Sequence, residues 1–238
     1  MPRFFVNPSE NEAVITGDGY RHLTRALRVR TGDLIEVTDG KFLYSAKITE
    51  IDSEKVLISL FNKREDDVEP KVKLTLVQGL PKGEKAELII QKAVELGAYK
   101  IVFFAADRSI VKLDAKQRAQ KQERFLKIAA SAAEQSGRSF TPEVKILSSL
   151  EEALKEVNNA VLVYEKANEN TLTTVLEQIN SDEYAFIIGP EGGISEKEAA
   201  YCEGKNIPAI TLGKRILRTE TAAIAVVASA MCLLHELE

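Results

Sequence analysis

Apolar and polar side chains alternate through the first part of the chain, with the period of half-buried β-strands. The stretch LIEVTDGKFLYSAKITEI (34–51) alternates on both sides of Asp39-Gly40, a pair typical of two-residue hairpin turns. KVLISLFNK (55–63) continues as a further strand, and the polar run KREDDVEPK (63–71) is typical of a linker. Between the first strand and the hairpin, an apolar period of three and four residues predicts a short helix with outward-pointing arginines. The residues that show this apolar period are Leu23, Ala26 and Leu27. The pattern therefore predicts a small β-barrel that carries a basic helix.

From residue 72 the pattern changes to apolar runs of strand length separated by helical periods. The predicted strands are VKLTLVQG (72–79), KIVFFAA (100–106), AVLVYE (160–165), YAFIIG (184–189) and AITLG (209–213). The predicted helices are GEKAELIIQKAVELG (83–97), with Ile89, Ile90, Ala93 and Val94 on its apolar face, a long helix over 114–136, and TETAAIAVVASAMCLLHEL (219–237). Apolar strands that alternate with helices predict an α/β domain with a parallel sheet covered on both faces.

Composition excludes several classes of protein. Of the 238 residues, 45% are hydrophobic and 29% charged, as in ordinary globular domains. No apolar stretch approaches the roughly 20 residues that cross a bilayer, and MPRFFVNPSE lacks the apolar core of a signal peptide. The two cysteines, Cys202 and Cys232, form no disulfide framework, and the two histidines lie at opposite ends of the chain. We expect a cytoplasmic protein with no membrane contact and no metal.

Positive charge is concentrated in two segments although the net charge is −4. YRHLTRALRVR (20–30) holds four arginines and no acid, and residues 108–127 hold seven bases against two acids. Such segments are either solvated helix faces or a phosphate-binding surface, and charge alone does not decide between the two.

Three predicted strands end in unusual sequences, at the edge where open α/β sheets bind ligands. They are LVYEKANE (162–169), IIGPEGG (187–193) and TLGKRILRTETA (211–222). Glycines let a backbone turn sharply and approach a ligand closely. Neither a P-loop nor a GxGxxG fingerprint is present, so a phosphate cradle is not indicated. GPEGG alone could be a tight turn and nothing more, but three such endings together favour a binding site.

Motifs along nearly the whole chain resemble a known family. IIGPEGGISEKEAA (187–200) and LGKRILRTETAAIAV (212–226) are similar to the signature of SPOUT methyltransferases. The segments RHLTRALRVRTGD (21–33), KGEKAELIIQKAVELG (82–97), RSIVKL (108–113) and AAEQSGR (132–138) resemble the RsmE family within them. The resemblance implies a PUA-like β-barrel RNA-binding domain over 1–70 and a SPOUT domain over 71–238. It also implies a parallel sheet with a trefoil knot, a homodimer and S-adenosyl-L-methionine as cofactor. The implied reaction is methylation of N3 of a uridine in 16S ribosomal RNA of the small ribosomal subunit.

The resemblance also implies roles for individual residues. The cofactor would contact Ile188, Gly189, Pro190, Gly193, Leu212, Gly213, Ile216, Leu217 and Thr221. Arg218 would stabilise the anion that develops on uracil, with Glu220 or Glu191 as the proton acceptor. A salt bridge for Arg218 and a capping role for Glu220 are the alternatives. RNA contacts are expected from Arg3, Arg21, Arg25, Arg28, Arg30, Arg108, Lys112 and Arg138.

Two other function classes are weighed against this one. A non-catalytic RNA-binding or ribosome-assembly protein could use the same fold, but it would have no need of a cofactor slot. An NAD-dependent oxidoreductase is disfavoured by the absence of an early GxGxxG.

Overall fold

The computed structural model describes residues 3–109, 113–167 and 170–237, which form two compact units. The first unit extends from the start of the described chain to Glu69 and also includes Ala133–Thr141. The second unit consists of Pro70–Ala132 and the chain from Pro142 onward. The return of the chain to the first unit at Ala133–Thr141 was not predicted. Among the described helices, none is both long enough and apolar enough to cross a bilayer.

The first unit is a half-barrel sheet that carries a helical segment. Its elements are β1 (Arg3–Phe5), β2 (Glu12–Thr16), α1 (Gly17–Arg21), a π-helical turn (His22–Leu27), β3 (Leu34–Thr38), β4 (Phe42–Ile51) and β5 (Lys55–Glu65). The strand order is β1-β3-β4-β5-β2, with β1 and β3 parallel and the other pairs antiparallel. The predicted β3–β4 hairpin is confirmed: Asp39 Oδ1 accepts hydrogen bonds from the amides of Lys41 and Phe42, and Gly40 has φ +88°. Such a φ favours glycine.

The predicted basic helix has a different form from the expected one. Leu23 is fully buried among the β-strands, but Ala26 and Leu27 are exposed. His22–Leu27 forms a π-helical turn with i→i+5 hydrogen bonds, in place of the α-helical spacing on which the expectation rested. The turn ends at Arg28, whose backbone is left-handed.

The predicted linker over 63–71 is also more structured than expected. Its first residues continue β5 as far as Glu65. Asp66 and Glu69 accept hydrogen bonds from Arg3 and Arg138 of the same unit. The acidic side chains that suggested a solvated linker are therefore partners of internal arginines.

The second unit is an α/β structure with a six-stranded sheet. Its elements are β6 (Lys73–Gly79), α2 (Lys85–Glu95), β7 (Lys100–Phe104), α3 (Ala115–Ser136, which continues into the first unit), β8 (Glu143–Leu147), α4 (Leu150–Ala153), a 3₁₀ turn (Leu154–Glu156), β9 (Ala160–Val163), α5 (Leu172–Gln178), β10 (Glu183–Ile188), α6 (Glu196–Gly204), β11 (Ala209–Ile210) and α7 (Thr219–Leu233). The order is β11-β9-β10-β6-β7-β8 and every pair is parallel, so the predicted fold class is confirmed. The short edge strand β8 was not among the predicted strands.

The strand order fixes where this sheet can bind a ligand. From β6 the chain adds β7 and β8 on one side, then crosses to place β9, β10 and β11 on the other side. The sheet therefore has its switch point between β6 and β10, where crevices open beyond the carboxyl ends of the strands. Helices α2 and α7 pack against each other there, and α2 buries the predicted face of Ile89, Ile90, Ala93 and Val94.

Candidate active site

A cavity of about 240 Å³ lies at the carboxyl ends of β9, β10 and β11. All three strand endings singled out in the sequence contribute to its wall. The lining residues are Val163, Tyr164, Glu165, Ile188, Gly189, Pro190, Glu191, Gly192, Gly193, Ile194, Thr211, Leu212, Gly213, Arg215, Ile216, Leu217, Thr219 and Ala222. Ile216 is 91% exposed, so the segment after β11 presents an apolar side chain to solvent beside the cavity.

Most of the predicted cofactor residues meet at this cavity. Those that line it are Ile188, Gly189, Pro190, Gly193, Leu212, Gly213, Ile216 and Leu217. Thr221 does not line it, because it is the third residue of α7 and its side chain is exposed to solvent. The buried Thr219 lines the cavity instead.

Two glycines allow the turn after β10 to close on itself and on β6. A Cβ at Gly189 would stand 2.6 Å from the carbonyl carbon of Gly193 and 2.7 Å from the amide of Ile194. A Cβ at Gly79, the last residue of β6, would stand 2.4 Å from Pro190 Cδ. Gly193 N–H also donates to the Pro190 carbonyl at 2.8 Å, which makes the segment a tight turn as well as a cavity wall.

A buried glutamine joins β6 to both sides of the cavity. The Gln78 amide nitrogen lies 3.0 Å from the Gly189 carbonyl and 2.8 Å from the Thr219 hydroxyl, which itself donates to the same carbonyl at 2.7 Å. Gln78 is fully buried, and its Oε1 has no hydrogen-bond partner in the described part of the chain. An unpartnered buried acceptor costs about 1–3 kcal/mol. Gln78 was not predictable as a site residue, because one polar residue at the end of an apolar strand gives no distinctive signal in the sequence.

Lys85 forms ion pairs with two glutamates, one of which lines the cavity. The Lys85 ammonium lies 3.3 Å from Glu191 Oε1 and 3.4 Å from Glu220 Oε2. Glu191 also accepts a hydrogen bond from the Lys82 amide at 3.1 Å. Partial burial would raise the pKa of Glu191, but hydrogen bonds from its own amide and that of Lys82, together with the Lys85 ammonium, outweigh this and lower it. Glu191 is therefore a weaker proton acceptor than an ordinary glutamate at neutral pH.

Arg218 lies immediately before α7, as its N-cap residue. Its side chain is exposed and has no hydrogen-bond or ion-pair partner among the described residues, so the alternative salt bridge is not found there. Arg218 does not line the cavity, whereas Arg215, which was not among the predicted site residues, does.

The predicted RNA contacts in the first unit fall into two groups. Arg25, Arg28 and Arg30 are exposed, and their side chains have no partner within the described ranges; Arg21 is exposed and pairs with Asp18. Arg3 and Arg138 are instead engaged inside the unit and are not presented to phosphates. Arg3 lies 3.2 Å from Asp66 and 3.9 Å from Glu36, and Arg138, 5% exposed, lies 2.5 Å from Glu69.

The second unit contains the other two predicted RNA contacts. Arg108 is exposed and donates to the Gly192 carbonyl at 3.3 Å, so it lies against the turn that lines the cavity. Lys112 lies outside the described residues. Over the described ranges, no group of three or more histidine, cysteine, aspartate or glutamate residues could hold a metal ion.

Family models match both parts of the chain. A model described as an RNA methyltransferase domain matches residues 68–231, and one described as an RNA methyltransferase PUA domain matches residues 15–61. The ribosomal RNA small subunit methyltransferase E of Bacillus subtilis is 33% identical over 94% of this chain and 93% of its own length. The protein of the same name from Helicobacter pylori (strain 26695) is 33% identical over 94% and 97%. The chain belongs to the ribosomal RNA small subunit methyltransferase E family.

Solved structures of similar chains agree with this membership. The ribosomal RNA small subunit methyltransferase E of Neisseria gonorrhoeae, solved with S-adenosyl methionine bound, has a TM-score of 0.86 and 31% identity over 98% of both chains. A methyltransferase from Legionella pneumophila, solved with the cofactor SAM, also has a TM-score of 0.86, with 27% identity over 97% of this chain and 96% of its own. The resemblance to the RsmE family is thereby confirmed.

Proposed function

We propose that this protein transfers the methyl group of S-adenosyl-L-methionine to N3 of a uridine in 16S ribosomal RNA of the small ribosomal subunit. The observation that carries the proposal is the meeting of three strand endings at one cavity, in a chain of the ribosomal RNA small subunit methyltransferase E family. The names of the relatives support an RNA substrate, and the ligand in the Neisseria gonorrhoeae structure supports the cofactor.

The chemistry of the cavity wall suits a nucleoside without phosphates. Backbone atoms and apolar side chains provide most of the wall, and Arg215 is the single cation among its described lining residues. The proposed binding residues are Ile188, Gly189, Pro190, Gly193, Leu212, Gly213, Ile216 and Leu217, with Thr219 in place of Thr221. When bound, the cofactor would supply an electrophilic methyl group on a sulfonium.

The protein's part in the reaction is to align uracil N3 and to stabilise charge. N3 is a weakly acidic imide that attacks well only after losing its proton, and negative charge then spreads to the neighbouring oxygens. The guanidinium of Arg218, which has no partner in the described part of the chain, is the proposed donor to these oxygens. Glu220 stays the proposed proton acceptor, and the lowered pKa of Glu191 makes that residue the weaker choice. The base must also be unpaired or turned outward to expose N3.

Calorimetry with S-adenosyl-L-methionine and mass spectrometry of 16S RNA from a deletion strain test this function. We expect the protein to bind the cofactor, and the RNA of the deletion strain to lack one methyl group at a uridine N3. Cofactor binding with fully methylated RNA would refute the proposed substrate. Absence of cofactor binding would instead favour a non-catalytic RNA-binding protein.

RNA binding by the exposed arginines of the first unit should depend strongly on salt. Each phosphate contact contributes roughly 0.7–0.9 to the slope of log affinity against log salt concentration. The Arg25→Ala/Arg28→Ala variant should therefore bind a 16S RNA fragment more weakly and lower this slope by about 1.5. Lys155→Ala/Lys205→Ala removes the same charge from exposed positions of the second unit and should leave the slope unchanged. Equal slopes for the wild-type protein and the arginine variant would exclude these contacts.

Three further expectations belong to the same proposal: a trefoil knot in the second unit, a cytoplasmic location with the ribosomal substrate, and a homodimer. The many small residues of α7 are compatible with close helix packing between subunits, although Ala223, Val226, Val227, Ala230 and Met231 are already buried within the chain. Sedimentation equilibrium distinguishes a dimer from a monomer.

A further inference from the structure

One lysine side chain connects three chain segments that are distant in sequence. Lys85 is the first residue of α2, Glu191 belongs to the turn after β10, and Glu220 lies in the first turn of α7. The Lys85 ammonium is within 3.4 Å of a carboxylate oxygen of each glutamate. It is the sole cation within ion-pair distance of either glutamate among the described residues.

The Lys85 ammonium compensates the charge of two glutamates whose side chains are more buried than its own. The side chains of Lys85, Glu191 and Glu220 are 35%, 25% and 13% exposed. Glu220 Oε2 is shielded from solvent and has no hydrogen bond from the described residues, so the ion pair is its main compensation. Burial would lower the pKa of Lys85, but the two carboxylates outweigh it and raise the pKa, so the ammonium stays charged.

Lys85 and Gln78 both contact the same two segments, the turn after β10 and the start of α7. Gln78 contacts the Gly189 carbonyl and the Thr219 hydroxyl, and Lys85 contacts Glu191, two residues after Gly189, and Glu220, the residue after Thr219. Both flank the connection between β6 and α2. The turn that lines the cavity and the start of α7 are therefore both held by side chains that flank the β6–α2 connection.

We propose that Lys85 is a positioning residue for methyl transfer, which holds the turn at Gly189–Gly193 in a fixed position relative to Arg218. The inference rests on the proposed function, because Arg218 matters only if a reaction occurs beside the cavity. Without the ammonium, the carboxylates of Glu191 and Glu220 repel each other and the two segments move apart. The cavity wall and the guanidinium two residues before Glu220 then lose their alignment.

The Lys85→Met variant tests the proposal, with Lys92→Met as the matched control. Lys92 lies on the same helix with similar exposure, but it pairs with Glu95, away from the cavity. Lys85→Met should raise the Kd for S-adenosyl-L-methionine about tenfold in calorimetry and lower kcat at saturating substrates about 10- to 100-fold. Lys92→Met should change neither quantity, and Lys85→Arg should recover most of both losses because it retains the charge.

A double-mutant cycle separates positioning from a general disturbance of the fold. In a Glu191→Gln/Glu220→Gln background, Lys85→Met should change the cofactor Kd less than twofold, because the charges that it bridges are gone. A tenfold effect in that background would overturn the proposal, as would a Lys85→Met variant with wild-type Kd and kcat. If Lys85→Met fails to fold, Glu191→Gln alone should raise the Kd several-fold, and an unchanged value would overturn it. Failure of the wild-type protein to bind the cofactor would instead refute the proposed function.

Discussion

Arg218→Ala is expected to lower kcat for methyl transfer by about 100- to 1,000-fold, the range found when one donor to a developing anion is removed. The Kd for S-adenosyl-L-methionine should stay within about twofold of the wild-type value, because Arg218 does not line the cavity. The guanidinium has no internal partner among the described residues, so its removal leaves no buried charge unpaired. The effect should therefore fall on the rate of the reaction and not on the stability of the fold.

Two control variants refine this test. Lys214→Ala removes a neighbouring exposed charge that also lies outside the cavity wall and should leave kcat unchanged. Arg218→Lys should recover only part of the activity, because a lysine ammonium lacks the planar pair of donors that an arginine presents. The quantities to compare are single-turnover rates on a 16S RNA fragment and calorimetric Kd values. Wild-type turnover by Arg218→Ala would refute the assigned role.

The site was largely predictable because it is built at strand ends. Apolar runs that stop at glycine, such as the one ending at Gly189, mark the carboxyl ends of buried strands in the sequence itself. The rule that ligands bind beyond these ends then brings distant segments to one place. That rule does not decide which residue in the first turn of α7 faces inward, and here Thr219 lines the cavity whereas the predicted Thr221 does not.

Contacts that depend on tertiary packing were not predictable in the same way. Nothing in KGEKAELIIQ distinguishes Lys85 from the other 31 lysines and arginines, because its partners lie in the turn after β10 and in α7. The internal ion pairs of Arg3 and Arg138 were not predictable for the same reason. Their acidic partners Asp66 and Glu69 lie in a run whose polarity indicates solvent exposure. Charge can be counted from a sequence, but the pairing of charges cannot.

Gly79→Ala is expected to abolish the cavity although Gly79 itself does not line it. The new methyl group would stand 2.4 Å from Pro190 Cδ, 2.6 Å from the Pro190 nitrogen and 3.1 Å from the Gly189 carbonyl carbon, and all three atoms belong to backbone or a rigid ring. Neither neighbour can move without shifting the turn at Gly189–Gly193, which Gln78 and Lys85 hold from the same side. Overpacking of this kind typically costs about 1–3 kcal/mol of unfolding free energy. For a chain of this size, that lowers Tm by roughly 2–12 °C.

Gly79→Ala should also weaken the binding of S-adenosyl-L-methionine. A displacement of the turn changes the cavity wall along its whole length, and we expect the Kd for S-adenosyl-L-methionine to rise by about 100-fold or more. Gly204→Ala is the matched control, because no atom lies within 4 Å of its added Cβ and Gly204 is the last residue of helix α6. That variant should keep the wild-type Kd and have an equal or slightly higher Tm. Calorimetry and thermal unfolding give the cofactor Kd and the Tm of both variants. If Gly79→Ala binds the cofactor as tightly as Gly204→Ala does, close packing of β6 against the turn does not shape the site.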